Sequence, residues 1–154
     1  MSTRRAALAS GTGGALLLVS LALPWFSRRL SSLFSPVEAE QTESGWHALG
    51  TGQGILVAVV ALVALAWAFP RGRRVSGAWL VIGGGLVLMA EVGTMVAKVG
   101  ADDNGGAAQV VSTTTPSFGL AVAFAGGLAV VLAGIYSLVS YARERTAAER
   151  AEPG

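Results

Sequence analysis

Cysteine is absent from the 154 residues. That excludes disulfides, thiolate nucleophiles and cysteine-based metal sites, and it leaves the redox compartment open. Charge is scarce as well: Asp, Glu, Lys and Arg make up 13% of the chain, against roughly 25% in soluble domains. There is one histidine, His47, so a zinc site has no second imidazole or thiolate to recruit. The net charge is only +2. The basic residues form no continuous face and sit instead at the ends of apolar runs, which argues against a nucleic-acid partner.

What is abundant is apolar surface. Hydrophobic residues make up 53% of a chain long enough for one domain, and so few polar groups cannot cover them in water. Four apolar runs stand out, at about Ala6–Phe26, Gly52–Phe69, Gly77–Ala97 and Ser117–Tyr141. Each is close to the ~20 residues that cross ~30 Å of hydrocarbon. Three carry no charge, and the third carries one, Glu91. Arg4-Arg5 ahead of the first run has the form of a signal sequence. That run is long, however, and Leu21-Ala22-Leu23-Pro24-Trp25 provides no small-x-small cleavage site, so a retained helix is expected. The expected fold is all-α: a polytopic, left-handed, up-down four-helix transmembrane bundle in a single membrane domain, residues 1–154.

Orientation follows from the basic residues. Eight of them (Arg4, Arg5, Arg71, Arg73, Arg74, Arg143, Arg145, Arg150) flank one set of helix ends, and three (Arg28, Arg29, Lys98) flank the other. Both termini and the 70–76 turn are therefore expected in the cytoplasm, in the plasma (inner) membrane. Glu38, Glu40, Glu43, Asp102 and Asp103 make the outer loops acidic. The aromatics suit the same depth assignment, with Trp25 and Trp46 at the outer interface and Trp67, Trp79, Tyr136 and Tyr141 at the inner one.

The connections differ in character. Pro70-Arg71-Gly72-Arg73-Arg74 predicts a tight turn that makes the second and third helices an antiparallel pair. In the outer loop over 27–51, Phe26, Leu30, Leu33 and Phe34 have helical spacing and predict a short interfacial helix ended by Pro36. Glu38–Ser44 reads as mobile. The outer loop over 98–116, rich in Gly, Asp and Asn and then in Ser and Thr, reads as flexible. The tail 142–154 is expected to extend the fourth helix as far as Pro153.

Glu91 is the sharpest candidate for function. A carboxylate at that depth is costly unless paired, protonated or wetted. Gly77, Gly84, Glu91 and Lys98 recur every seven residues on one face, and small residues mark helix contacts, so Glu91 is expected to face the bundle. It is either a proton or cation site, with Thr94 beside it and Lys98 or His47 as partners, or a structural group bonding across helices. His47, beside Trp46 at the mouth of helix two, is the other outer-loop candidate together with Trp25. The glycine clusters Gly11–Gly14, Gly50–Gly54 and Gly83–Gly85 follow no strand and lack a Gly-Lys-Ser/Thr ending, so they are not phosphate loops. Packing stripes are expected instead: Gly54, Ala58, Ala61 and Ala68 on helix two, and Gly119, Ala123, Gly126 and Ala133 on helix four. No catalytic set, metal site or cofactor motif is present.

Leu23-Pro24-Trp25 closing helix one, Ser44-Gly45-Trp46 opening helix two and a Gly-rich helix three resemble small four-helix actinobacterial membrane proteins. That resemblance implies the topology. More distantly, the chain is similar to claudin-like four-helix proteins, which carry tryptophans in a larger first outer loop. It lacks their paired loop cysteines, so this similarity carries no expectation of a folded outer sheet or an adhesive role. The function expected is non-enzymatic: a small subunit or scaffold in the lipid bilayer, associating laterally as a homo-oligomer or within a larger complex. The alternative is a transporter or channel component using Glu91.

Overall fold

A computed structural model of the chain describes residues 3–32, 35–69, 77–100 and 110–151. They form α1 (Thr3–Ala22), β1 (Pro24–Ser32), β2 (Ser35–Ser44), α2 (Gly45–Trp67), α3 (Gly77–Gly100), β3 (Val110–Pro116) and α4 (Phe118–Ala151). All four helices are long and apolar enough to cross a membrane, which is the build of a multi-pass membrane protein. The boundaries differ from the hydropathy runs in instructive ways. α2 begins at Gly45 rather than near Gly52, because a short first segment is joined to the main helix across a break at Gly50 (φ 74°). α4 runs for 34 residues, and its exposed Arg143, Glu144 and Arg145 carry it past the apolar layer.

α1 is seated between α2 and α4, α3 packs along α4, and the α2–α3 seam is thin. The tight contacts are made by small residues. A Cβ on Gly13 of α1 would sit 2.8 Å from the Gly126 carbonyl of α4, and one on Gly126 would sit 2.9 Å from the Gly13 carbonyl. The same reciprocal approach joins Gly77 of α3 to Gly134 of α4. Backbones this close gain dispersion contacts that hydrophobicity cannot supply in lipid. The Ser10 hydroxyl of α1 adds a hydrogen bond to the Ala64 carbonyl of α2 at 2.8 Å. The expected stripes are in place: Gly119, Ala123, Gly126 and Ala133 are buried, as are Gly54 and Ala61, with Ala58 and Ala68 half-buried.

The loops at one end depart from expectation. Residues Pro24–Ser32 are a strand, not an interfacial helix, and β1 is the centre of an antiparallel sheet ordered β2-β1-β3. Phe26 pairs with Glu43 and with Pro116, and Arg28 pairs with Gln41 and with Thr114. Glu38–Ser44, expected to be mobile, lies in β2, and the end of the second loop, expected to be flexible, is β3. Val110, Val111 and Thr113–Thr115 are β-branched and suit a pleated surface. The prolines fall where a sheet accepts them, since Pro24 starts its strand and Pro36 and Pro116 lie on edge strands. The helical spacing of Phe26 and Leu30 is overridden because β1 gains a hydrogen-bond partner on both sides. Leu33, Phe34, the 70–76 turn, Asp102, Asp103 and Pro153 lie outside the described residues.

The sheet is fastened to the helices at Trp25. Its indole N–H donates to the Ser20 carbonyl at 2.8 Å, satisfying a carbonyl of the last turn of α1. Gly45 N–H donates to the Leu23 carbonyl at 3.0 Å, and Ser117 N–H to the Trp25 carbonyl at 2.7 Å. Trp25 and Phe26 are fully buried. Trp25 is therefore a core residue and not a lipid-facing belt aromatic, and Trp67, 6% exposed, is likewise inside. Gly45 is required here, because a Cβ would collide with the Trp25 indole.

Gly45→Ala should accordingly destabilise the fold by roughly 1–3 kcal/mol through overpacking. Gly52→Ala, where nothing lies within 4 Å of an added Cβ, should be neutral or stabilising by up to ~1 kcal/mol. Thermal unfolding of both variants in one detergent, followed by tryptophan fluorescence, compares them directly. Equal midpoints would remove the Trp25–Gly45 contact as a constraint.

Candidate functional site

Glu91 faces the bundle, as its heptad stripe predicts. It lies one turn beyond Val87, the fully buried α3 residue that faces Gly127 of α4. Glu91 is itself 0% exposed, and neither carboxylate oxygen has a hydrogen-bond partner among the described residues. An unpartnered polar group in so dry a place costs ~1–3 kcal/mol even when neutral, and more when charged.

The residues expected to serve it are placed differently. Thr94, one turn further along, is buried with Glu91. Its hydroxyl donates to the Ala90 carbonyl at 2.8 Å and stands 3.4 Å from Oε1 of Gln53 on α2. Lys98 is not the partner of Glu91: its ammonium donates to both oxygens of Glu43 on β2, each at 2.9 Å. That pair is more than a third exposed at either end, so it contributes little to stability, ~0.2–1 kcal/mol. His47 is not a partner either. Its Nδ1 lies 3.0 Å from the Ser44 hydroxyl at the start of α2, on an exposed side chain. Trp46 is 38% exposed and its ring lies against Gly54, a contact made possible by the break at Gly50. Among the described residues no group of three His, Asp or Glu side chains is placed to hold a metal ion.

The tertiary structure adds residues that spacing could not nominate. A cavity of about 600 Å³ lies under the sheet, lined by Phe26, Arg28, Gln41, Thr42, Glu43 and Thr114 from the strands and by Lys98 from α3. Strand alternation explains its polarity: Phe26 and Arg28 share a face of β1, and their partners Glu43, Gln41 and Thr114 line the same cavity. Gln53 had a sequence signal, being the one amide in the apolar stretch of α2. Glu43 and Arg28 had none, because their role depends on register.

No family model matches the chain, and no curated protein is significantly similar to it.

The missing partner makes a cross-helix structural bond a poor account of Glu91 and gives a sharp expectation. Glu91→Met, which fills a similar volume without stranding polar atoms, should raise stability by ~1–3 kcal/mol. Glu91→Gln, which keeps polar atoms buried, should not. Thermal unfolding of the two variants against the parent decides it, and a destabilised Met variant would restore the structural reading.

Proposed function

We propose that this chain is a non-enzymatic integral membrane protein, a small subunit or scaffold that acts through lateral helix association in the plasma membrane. The observation that best supports it is the exposure of α3. One face of α3 is taken up by α4 and a narrow strip by α2. Trp79, Ile82, Leu86, Met89, Val92 and Val96 are turned outward. Gly85 and Gly93 on the same helix have nothing within 4 Å of an added Cβ, so another backbone has room to approach closely there.

The basic residues support a sidedness for this assembly. The eight basic residues of the larger set, against three in the smaller, support cytoplasmic termini with the sheet on the opposite side. A second reading, a transporter or channel component with Glu91 as an intramembrane proton or ion site, is favoured by one specific observation. The carboxyl is fully buried and its oxygens are unpartnered, and intramembrane ionisable groups mark ion pathways. On that reading Glu91→Gln abolishes a flux measured in liposomes.

Lateral association predicts a native mass well above that of one chain after extraction into lipid nanodiscs. Gly93→Leu should lower that mass while leaving stability within ~0.5 kcal/mol of the parent, since among the described residues nothing lies within 4 Å of a Cβ added there. A strictly monomeric parent in several mild detergents and in nanodiscs would overturn the proposal.

A further inference from the structure

Glu91, Thr94 and Lys98 share one face of α3, and that face rises from the middle of the apolar layer to the cavity under the sheet. The climb from Glu91 to Lys98 is seven residues, about 10 Å at 1.5 Å per residue. Midway stands the Thr94 hydroxyl, with Gln53 of α2 beside it at 3.4 Å. At the top, Lys98 and Glu43 form their ion pair on the wall of the cavity. The other exposed residues of α3 carry no hydroxyl, amide or charged group, so this face is the polar way out of the bundle interior.

We propose that Glu91 is a proton-exchange site reached from the sheet end of the bundle through this cavity, with the Lys98–Glu43 pair at the junction. The inference rests on the reading of Glu91 as a proton site and adds its access route and gate. One proton passes from solvent in the cavity to a Glu91 oxygen and returns the same way, and no other bond changes. A proton suits the donor set better than a metal cation does. Two carboxylate oxygens, one hydroxyl and the Gln53 amide oxygen are too few to replace the six or more oxygens that hold a hard cation such as calcium, whereas a proton needs one. The charged and titratable groups facing this column are Lys98 from α3, Glu43 from β2 and Arg28 from β1. α2 brings only His47, which is held by Ser44, and α4 carries no titratable side chain between Phe118 and Tyr136. The opposite end of the bundle offers no comparable ladder on α3. Below Glu91 the same face carries Val87, Gly84, Leu80 and Gly77, all buried.

The test is infrared spectroscopy of the full chain in phosphatidylcholine–phosphatidylglycerol vesicles. The reporter is the carboxylic-acid carbonyl band that Glu91→Gln removes. On transfer into deuterium oxide this band should shift as the acid proton exchanges. Filling the cavity with Gln41→Trp or Thr114→Trp should slow the shift by about tenfold. Opening the junction with Lys98→Met should speed it, and circular dichroism checks that each variant is folded. A Glu91 band that exchanges at the parent rate in the folded Trp variants and in Lys98→Met overturns the route while leaving the proton site standing. Failure to find any Glu91-dependent acid band from acid to alkaline pH overturns the underlying reading itself.

Discussion

The hydrogen bond from the Trp25 indole to the Ser20 carbonyl is the constraint on which the sheet end of the molecule depends. It closes the last turn of α1 and turns the chain into β1 within three residues. The carbonyls it leaves pointing outward at Leu23 and Trp25 receive the first N–H groups before α2 and α4. Gly119 packs directly on the Pro24 carbonyl. Three helix ends and the central strand are therefore fixed by one aromatic side chain and the short backbone segment around it. A covalent link between the loops is unnecessary, because β1 is paired along both edges and anchored at its base. The Leu-Pro-Trp and Gly-Trp signatures then have a physical meaning: a ring large enough to fill the end of the bundle, and a residue without a Cβ where that ring lies.

Within the apolar layer the governing factor is different. Hydrophobicity cannot draw helices together in lipid, so close approach decides which pairs form. α1 and α4 meet glycine to glycine, α3 meets α4 the same way at its start, and α2 is bound to α1 by small residues and the Ser10 hydroxyl. The α2–α3 seam is thinner, with Gly83 against the Val60 side chain and the Thr94 hydroxyl near Gln53, and no glycine-to-glycine backbone approach. It stays open as an apolar groove flanked by Val60, Val63, Trp79 and Leu86. This asymmetry leaves α3 the helix most exposed to its surroundings, and among the described residues it carries the one buried carboxyl. A helix committed on one side and open on the others can accept a neighbour or shift against α4, and Glu91 lies on the committed side, where such a shift would be felt.

Much of this was legible along the chain. Span length and scarcity of charge located the four helices, and the seven-residue stripe on α3 turned Glu91 inward. The small-residue stripes on α2 and α4 marked the contact faces correctly. What misled was local periodicity in the loops. Phe26 and Leu30 are four apart, as on a helix, yet both lie in β1, and a four-residue spacing of apolar residues suits a strand's period of two as well as a helix. Thr113–Thr115 and Val110–Val111 carried the strand signal, but their partners on β1 lie 78 to 88 residues away, and no window sees that far. Trp25 lies in the core and not in a lipid-facing belt, because an aromatic at a helix end suits either lipid or core until a hydrogen-bond acceptor is found for its indole.

The sequence by itself determined that the chain carries four helices long and apolar enough to cross a membrane, and which single acid lies within their apolar runs. These are properties of residues summed over a window, and transfer free energy is additive enough to read them off. Only the tertiary structure decided what each polar group does. Lys98 is equally able by spacing to serve Glu91 below it or an acid above. The register of β2 brings Glu43 within 2.9 Å and leaves Glu91 without a partner. A hydrogen bond is fixed by distances of a few tenths of an ångström between segments far apart in the chain, and that information exists only once they are packed.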